Sequence, residues 1–393
     1  MIYVHGAGSQ YLTQTVYEPM NQPTGDSWAD SFLFAHNSRL IKMLFAWYTY
    51  ESMKRNAKMY EIVAALMTLG KGILAADESN TTAGKRLEAV HLPNRPENRQ
   101  DFRELLFTAP EIEKYLSGVI MYDSSIKNFT DDGTPFPDVL LAKGILPGIK
   151  VDMGTKELDG FRGEVVTQGL DNLEERFNEY YDLGARFAKW RAVILIDEDT
   201  PTDTAIEINA VMLARYAQIA QRVGIVPVVE PEVIFAGDHD ILRAEMVTTR
   251  VLQILFQTLI KYKVDLGALI LKSSMVLAGD MNSEQSTPEQ IANATLRAFH
   301  MSVPYEVGGI VFLSGGQTPK RATENLNAIA KTGSQPWPIT FSYSRAIEEP
   351  FLVTWQGKPE NADEAQKMLL YVCKMNSLAQ QGRYEPEKDS KLK

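Results

Sequence analysis

The sequence predicts an α/β fold, a closed barrel of eight parallel strands wrapped by helices, and three observations carry that prediction. Eight short apolar runs recur along the chain, beginning roughly 30 to 45 residues apart, which is the spacing of a strand plus a crossover helix. The bodies of the runs are apolar throughout rather than alternating, as in strands covered on both faces. Between them lie segments with helical periodicity, such as ATENLNAIAKTG and EINAVMLARYAQIAQRVG. Eight repeats close such a sheet into a TIM (β/α)8 barrel. The competing architecture is an open doubly wound sheet. Its usual glycine signature is missing, since Gly6-Ala7-Gly8 neither follows a strand nor precedes a helix.

Residues 1–52 mix Gly, Ser, Gln, Asn and aromatic residues without a period. They read as an N-terminal extension, either a dispensable arm or a start-site artefact with translation beginning at Met53 or Met59. Met53 opens an amphipathic helix pattern, MKRNAKMYEIVAALMTLG, which ends at Gly70 as a C-cap. The strand runs follow as GILAAD (72–77), GVIMYD (118–123), GIKVD (148–152), FAKWRAVILID (187–197), IVPVVEPE (225–232), GALILK (267–272), GIVFLSGG (309–316) and ITFSYSRA (339–346). A further helical pattern at 361–382 is an extra C-terminal helix packed on the barrel. The barrel domain therefore spans 53–384. The charged tail EPEKDSKLK, 385–393, is expected to be mobile.

With 393 residues, 45% hydrophobic and 23% charged, the chain can bury a large core. A net charge of -10 argues against a nucleic-acid partner, although a local cationic cluster can still hold a small anion. No run approaches the roughly 20 apolar residues of a membrane span. The first Lys or Arg is Arg39, so the start resembles neither a signal nor a transit peptide. The single cysteine, Cys373, excludes an intramolecular disulfide, fits a reducing cytoplasm, and reads as an inert helix residue. The histidines (His5, His36, His91, His239, His300) are scattered, and only His239 lies near a strand end, where it would order a loop. No metal or organic cofactor is expected.

The polar residues at the C-terminal ends of the runs carry the chemistry, because barrel enzymes place their sites there. Asp77 ends the first run, and Lys272 the sixth. Lys150 with Asp152, Lys189 with Arg191, and Glu230 with Glu232 are i, i+2 pairs, so each pair projects to one face of its strand, toward the barrel interior or mouth. Trp190, between Lys189 and Arg191, should face the helical layer. Four carboxylates against four cations make burial of the group tolerable. A lysine amine attacks carbonyls only when neutral, and an apolar pocket with neighbouring cations disfavours its charge. Lys272, after GALIL and sharing a mouth with Lys150 and Lys189, fits a Schiff-base nucleophile. The plainer alternative is a structural ion pair with Glu230 or Glu232. The seventh and eighth runs end in Ser314-Gly315-Gly316 and Ser342-Tyr343-Ser344-Arg345, the place where barrels hold phosphate with backbone N–H groups and a cation. Lys85-Arg86 could hold a second phosphate, or could simply be a solvated helix face.

Seven motifs in order, GKGILAADES, GIKVD, ARFAKWR, GIVPVVEPE, LILKSSM, FLSGGQ and TFSYSRA, resemble those of class I fructose-bisphosphate aldolase over Lys71 to Tyr384. The resemblance implies reversible cleavage of fructose 1,6-bisphosphate to glycerone phosphate and glyceraldehyde 3-phosphate in glycolysis and gluconeogenesis. It implies Lys272 as imine-forming lysine, Glu230 as general acid in carbinolamine dehydration and Glu232 holding the charge network around it. Asp77 would act on the C4 hydroxyl, with Lys189 and Lys150 stabilising developing charge. Ser314, Gly315, Ser342 and Arg345 match residues at the C1 phosphate, where Ser344 would still offer its backbone N–H; Ser79, Lys85 and Arg86 match those near the C6 phosphate, and Arg191 joins the substrate-binding set. A homotetramer is also implied.

Three departures stand out. Ser273-Ser274 replaces the usual Pro-Asn after the imine lysine, Ser344 replaces a Gly, and the sequence ends at Lys393 without the C-terminal tyrosine of animal members. A Schiff-base aldolase for a related sugar phosphate and a non-catalytic aldolase-like binding protein are the competing readings.

Overall fold

The computed structural model describes residues 54–392. The extension at 1–52, the start at Met53, Gly6-Ala7-Gly8, His5 and His36 therefore lie outside the described residues. Eight parallel strands close into a barrel: β1 (Gly72–Ala76), β2 (Leu116–Met121), β3 (Leu146–Lys150), β6 (Phe187–Ile194), β7 (Val226–Val233), β8 (Ile270–Ser273), β9 (Gly309–Phe312) and β10 (Ile339–Tyr343). Each overlaps one of the eight apolar runs, and β10 pairs with β1 to complete the ring. The TIM barrel expected from the spacing is the fold.

Strand alternation sorts the side chains into two cores. Ile73, Ala75, Ile120, Phe187, Val226, Val228, Ile270 and Val311 point inward. Leu74, Val119, Ile149, Ala188, Trp190, Val229, Leu271 and Phe312 point outward and pack under the helices. Trp190 lies in that outer layer, as its position between two inward cations demanded, with its ring 5.5 Å from that of Tyr216.

The N-terminal end of the barrel is closed by α1 (54–66). Its Met59, Ile62, Val63 and Leu66 follow the i, i+3, i+4, i+7 stripe of an amphipathic helix and join the inner core with Met67. Leu66 and Met67 reach Gly118 and Gly309, where an added Cβ would lie 2.7 and 2.6 Å from them. Only glycine admits so close an approach. The helix stops at Leu66 and not at Gly70; Gly70 instead takes a left-handed turn at φ 80 that leads into β1.

The outer helices are α2 (Asn80–Glu88), α3 (Pro96–Thr108), α4 (Asp123–Ile126), α5 (Phe136–Ala142), α6 (Leu173–Asp182), α7 (Asp203–Val223), α8 (Ile241–Lys261), α9 (Pro288–Ser302), α10 (Pro319–Lys331) and α11 (Arg345–Trp355). The expected extra C-terminal helix is α12 (Ala362–Gln380), which packs on α10 and α11 and buries Cys373. No described helix is long and apolar enough to cross a membrane.

Two features depart from the sequence expectation. A short antiparallel hairpin, β4 (Thr155–Glu157) with β5 (Val165–Thr167), stands beside the mouth between β3 and β6. The charged tail is docked rather than mobile. Asp389 accepts hydrogen bonds from the Tyr371 and Tyr384 hydroxyls, both at 2.8 Å, and from the amides of Lys391 and Leu392 at 2.9 and 3.1 Å. Leu392 is buried. The missed signal is tyrosine: α12 and the segment after it supply two phenols that an acidic tail residue can satisfy.

Candidate active site

All fifteen residues to which the resemblance assigns a role line one cavity of about 1640 Å³ at the C-terminal end of the barrel. Strand alternation delivers them there. Lys189 and Arg191 on β6 and Glu230 and Glu232 on β7 sit two residues apart, and the register sets Arg191 beside Glu230 and Val193 beside Glu232. Lys150 on β3 is level with Lys189. Asp77 directly follows β1, and Lys272 lies within β8.

The balance of charge expected from the sequence is realised as a set of ion pairs. Lys189 Nζ lies 2.6 Å from Asp77 Oδ2 and 2.9 Å from Glu230 Oε2, while Lys272 Nζ lies 3.1 Å from Glu230 Oε1. These four side chains are buried. Lys150 pairs with Asp152 Oδ1 at 2.6 Å, and Arg191 pairs with Glu232. The ion pair of Lys272 with Glu230, weighed above as a plain structural role, is therefore present, and it is also the contact that an amine needs in order to lose a proton.

Electrostatics divides the labour within this group. Burial works against the charge of Lys189, but Asp77, Glu230 and Asp152 outweigh it and raise its pKa, so this lysine is a permanent cation. Burial favours neutral Glu230, but Lys189, Lys272 and Arg191 hold its pKa down to about 2. Glu230 therefore enters any reaction at neutral pH as a carboxylate. Its Oε2 touches Lys189 without hydrogen-bond alignment and keeps room for a further donor.

The other end of the mouth is built for an anion. Gly315 and Gly316 turn with positive φ, 20 and 81, after β9, where a side chain at Gly316 would strike Phe235. Ser342 Oγ is buried, has no hydrogen-bond partner among the described residues, and lines the same cavity. Lys85 and Arg345 are exposed and carry no ion pair among the described residues. Ser79 is the N-cap of α2, accepting from the Thr82 amide at 3.3 Å.

Arg86 is not free in the same way. It pairs with Glu78 and Glu348, and it donates to Ser344 Oγ at 3.0 Å. The sequence reading missed Glu78, Arg103 and Glu348, which form this buried cluster. The available signal was position: Arg103 falls on the buried stripe Phe102, Leu106, Phe107 of α3, and Glu348 on the stripe Ile347, Phe351, Leu352 of α11. His239 sits in the loop after β7, where its carbonyl accepts from Gly279 at 2.8 Å.

A barrel mouth with a buried lysine touching a carboxylate, beside anion donors without partners among the described residues, is suited to lysine-centred chemistry on an anionic substrate. The comparisons identify the family. The sequence profile described as "Fructose-bisphosphate aldolase class-I" matches residues 58–393. A "Probable fructose-bisphosphate aldolase class 1" of Xanthomonas campestris pv. campestris is 46% identical over 84% of this chain and 98% of its own. "Fructose-bisphosphate aldolase 6, cytosolic" of Arabidopsis thaliana is 49% identical, covering 84% of this chain and 91% of its own. Among solved structures, fructose-bisphosphate aldolase from Plasmodium falciparum, crystallised with TRAP and a small-molecule inhibitor, superimposes with a TM-score of 0.84 at 42% identity, over 84% and 96% of the two chains. The chain belongs to the class I fructose-bisphosphate aldolase family, and is a carbon–carbon lyase of that family.

Proposed function

We infer that this enzyme cleaves fructose 1,6-bisphosphate reversibly into glycerone phosphate and glyceraldehyde 3-phosphate through an imine on Lys272. The observation that carries the reading is the chain of contacts from Lys272 to Glu230 to Lys189 to Asp77, at 3.1, 2.9 and 2.6 Å.

Proton transfer from the Lys272 ammonium to the Glu230 carboxylate leaves a neutral amine, which adds to the C2 carbonyl of the open-chain ketose. Glu230, now protonated, returns that proton to the carbinolamine hydroxyl, which leaves as water and gives the iminium. Asp77 then takes the proton of the C4 hydroxyl. The C3–C4 bond breaks, its electron pair passes into the iminium as an enamine, and glyceraldehyde 3-phosphate departs. Uptake of one proton by the enamine at C3, matched by loss of the proton that Asp77 took so that it is again a carboxylate, and addition of water to the iminium release glycerone phosphate and restore Lys272. Lys189, a fixed cation between Asp77 and Glu230, offsets negative charge on both, with Lys150 alongside; preorganised charge of this kind is usually the largest catalytic contribution. Glu232, paired with Arg191, keeps that cation at the mouth. Ser314, Gly315, Ser342, Ser344 and Arg345 would take the C1 phosphate, and Ser79, Lys85 and Arg86 the C6 phosphate.

The cytosolic names of plant relatives support a cytosolic place in glycolysis and gluconeogenesis, and the family resemblance supports a homotetramer. The test is cleavage of the bisphosphate, followed by release of glyceraldehyde 3-phosphate, compared with the 1-phosphate and with Lys272→Arg. The reading expects the bisphosphate to be preferred and the variant to lose at least about 10³-fold in kcat. Preference for the 1-phosphate would favour the related-aldolase reading, and an active Lys272→Arg enzyme would rule out imine chemistry at this position.

A further inference from the structure

One charged cluster at the mouth has no part in the proton transfers above. Arg86 of α2 and Arg103 of α3 each bridge the same two carboxylates, Glu78 after β1 and Glu348 of α11, with Arg103 Nη1 3.0 Å from Glu348 Oε1. Glu78, Arg103 and Glu348 are buried. Two guanidinium groups and two carboxylates form a closed square. Buried pairs of this kind add little net stability, because desolvation cancels most of the attraction, but breaking one leaves an uncompensated charge. A square built from four segments therefore acts chiefly on geometry, holding α11 against α2 and the end of β1.

Ser344 joins the square. A serine at a helix N-cap ordinarily accepts from its own first turn. Here it makes no such bond. Its hydroxyl instead donates to Glu78 Oε1 at 2.7 Å and accepts from Arg86 Nη1 at 3.0 Å. Both roles of the hydroxyl are filled, so the residue that begins α11 is clamped to the end of the neighbouring strand β1. The next residue is Arg345, exposed and without an ion pair among the described residues. Two residues before Ser344 is Ser342, whose buried hydroxyl has no partner among the described residues.

The geometry points to Ser344 as a positioning residue for the ketone-side phosphate: its hydroxyl, held between Glu78 and Arg86, fixes the start of α11 and so the approach of its backbone N–H and of Arg345 to that phosphate. The inference rests on the aldolase reading and goes beyond it, since it concerns a side chain where the family pattern has none.

The test compares two ketones that differ only by the phosphate. Borohydride trapping on Lys272 is titrated with glycerone phosphate and with unphosphorylated glycerone, in the wild type and in Ser344→Ala, Ser344→Gly and Ser344→Thr. Loss of the hydroxyl in the Ala and Gly variants should raise the half-trapping concentration of glycerone phosphate about five- to twenty-fold and leave that of glycerone within about twofold. Ser344→Thr, which keeps the hydroxyl, should restore most of the difference. Unchanged trapping of glycerone phosphate in Ser344→Ala and Ser344→Gly, or equal weakening for both ketones, overturns the positioning role. No trapping by the wild type with either ketone overturns the aldolase chemistry beneath it.

Discussion

Lys272 Nζ lies 3.1 Å from Glu230 Oε1, and both side chains are buried in the barrel mouth. Neither group can shed its charge to water there, so the proton shared between them has one short path. The same carboxylate contacts Lys189 on its other oxygen at 2.9 Å. Glu230 thus joins both lysines, and the proposed proton chemistry turns on it.

Asp77→Asn should separate imine formation from bond cleavage. The amide keeps the shape but cannot take the C4 proton, and Lys189 loses one of its two buried carboxylate contacts. Steady-state cleavage of fructose 1,6-bisphosphate should fall about 10²- to 10⁴-fold in kcat, while borohydride still traps substrate on Lys272. Loss of trapping in step with kcat would contradict this division of roles.

The depressed pKa of Glu230 predicts a pH dependence of stability with a definite sign. A carboxylate whose folded pKa lies near 2, against 4.5 unperturbed, stabilises the fold above about pH 4.5 and loses that contribution as pH falls toward 2. Glu230→Gln removes it. The wild type's advantage in unfolding free energy over Glu230→Gln should therefore be flat near neutrality and shrink by an amount on the order of 3 kcal/mol between pH 4.5 and 2. Urea unfolding of both proteins across that range measures it; a gap that widens toward acid would refute the assignment.

Asp389 should anchor the C-terminal segment. Asp389→Ala strands two tyrosine hydroxyls and the amide of Leu392. A loss of about 1–3 kcal/mol is expected, with a lower denaturant midpoint at unchanged slope and faster tryptic cleavage at Lys388. A variant as stable and as protease-resistant as the wild type would show that the docked tail is incidental.

The barrel and its mouth were legible because their signals are local. Every apolar strand body announces burial on both faces, and the i, i+2 spacing of Lys189 with Arg191 and Glu230 with Glu232 settles which face each side chain takes. The β4–β5 hairpin was not legible, since Thr155–Glu157 is short, polar and exposed, with nothing to mark it as a strand. The Glu78, Arg86, Arg103, Glu348 square was hidden for the opposite reason. Its members stand on separate elements as far as Arg86 from Glu348, 262 residues apart, and only the closed barrel brings them together. Arg86 illustrates the limit well: its place beside Lys85 in the sequence gives no hint of the two carboxylates, Glu78 and Glu348, that pair with it in the fold. The docked tail depends likewise on tertiary partners, Tyr371 and Tyr384, that no periodicity displays.

The central claim is that Lys272 is the covalent nucleophile, and borohydride trapping with fructose 1,6-bisphosphate, with and without a chelator, tests it most directly. Mass spectrometry of the peptide containing residue 272 should show a reduced ketose or triose phosphate adduct on Lys272, in equal yield with and without chelator. No adduct, or an adduct on Lys150 or Lys189 in its place, would contradict the account.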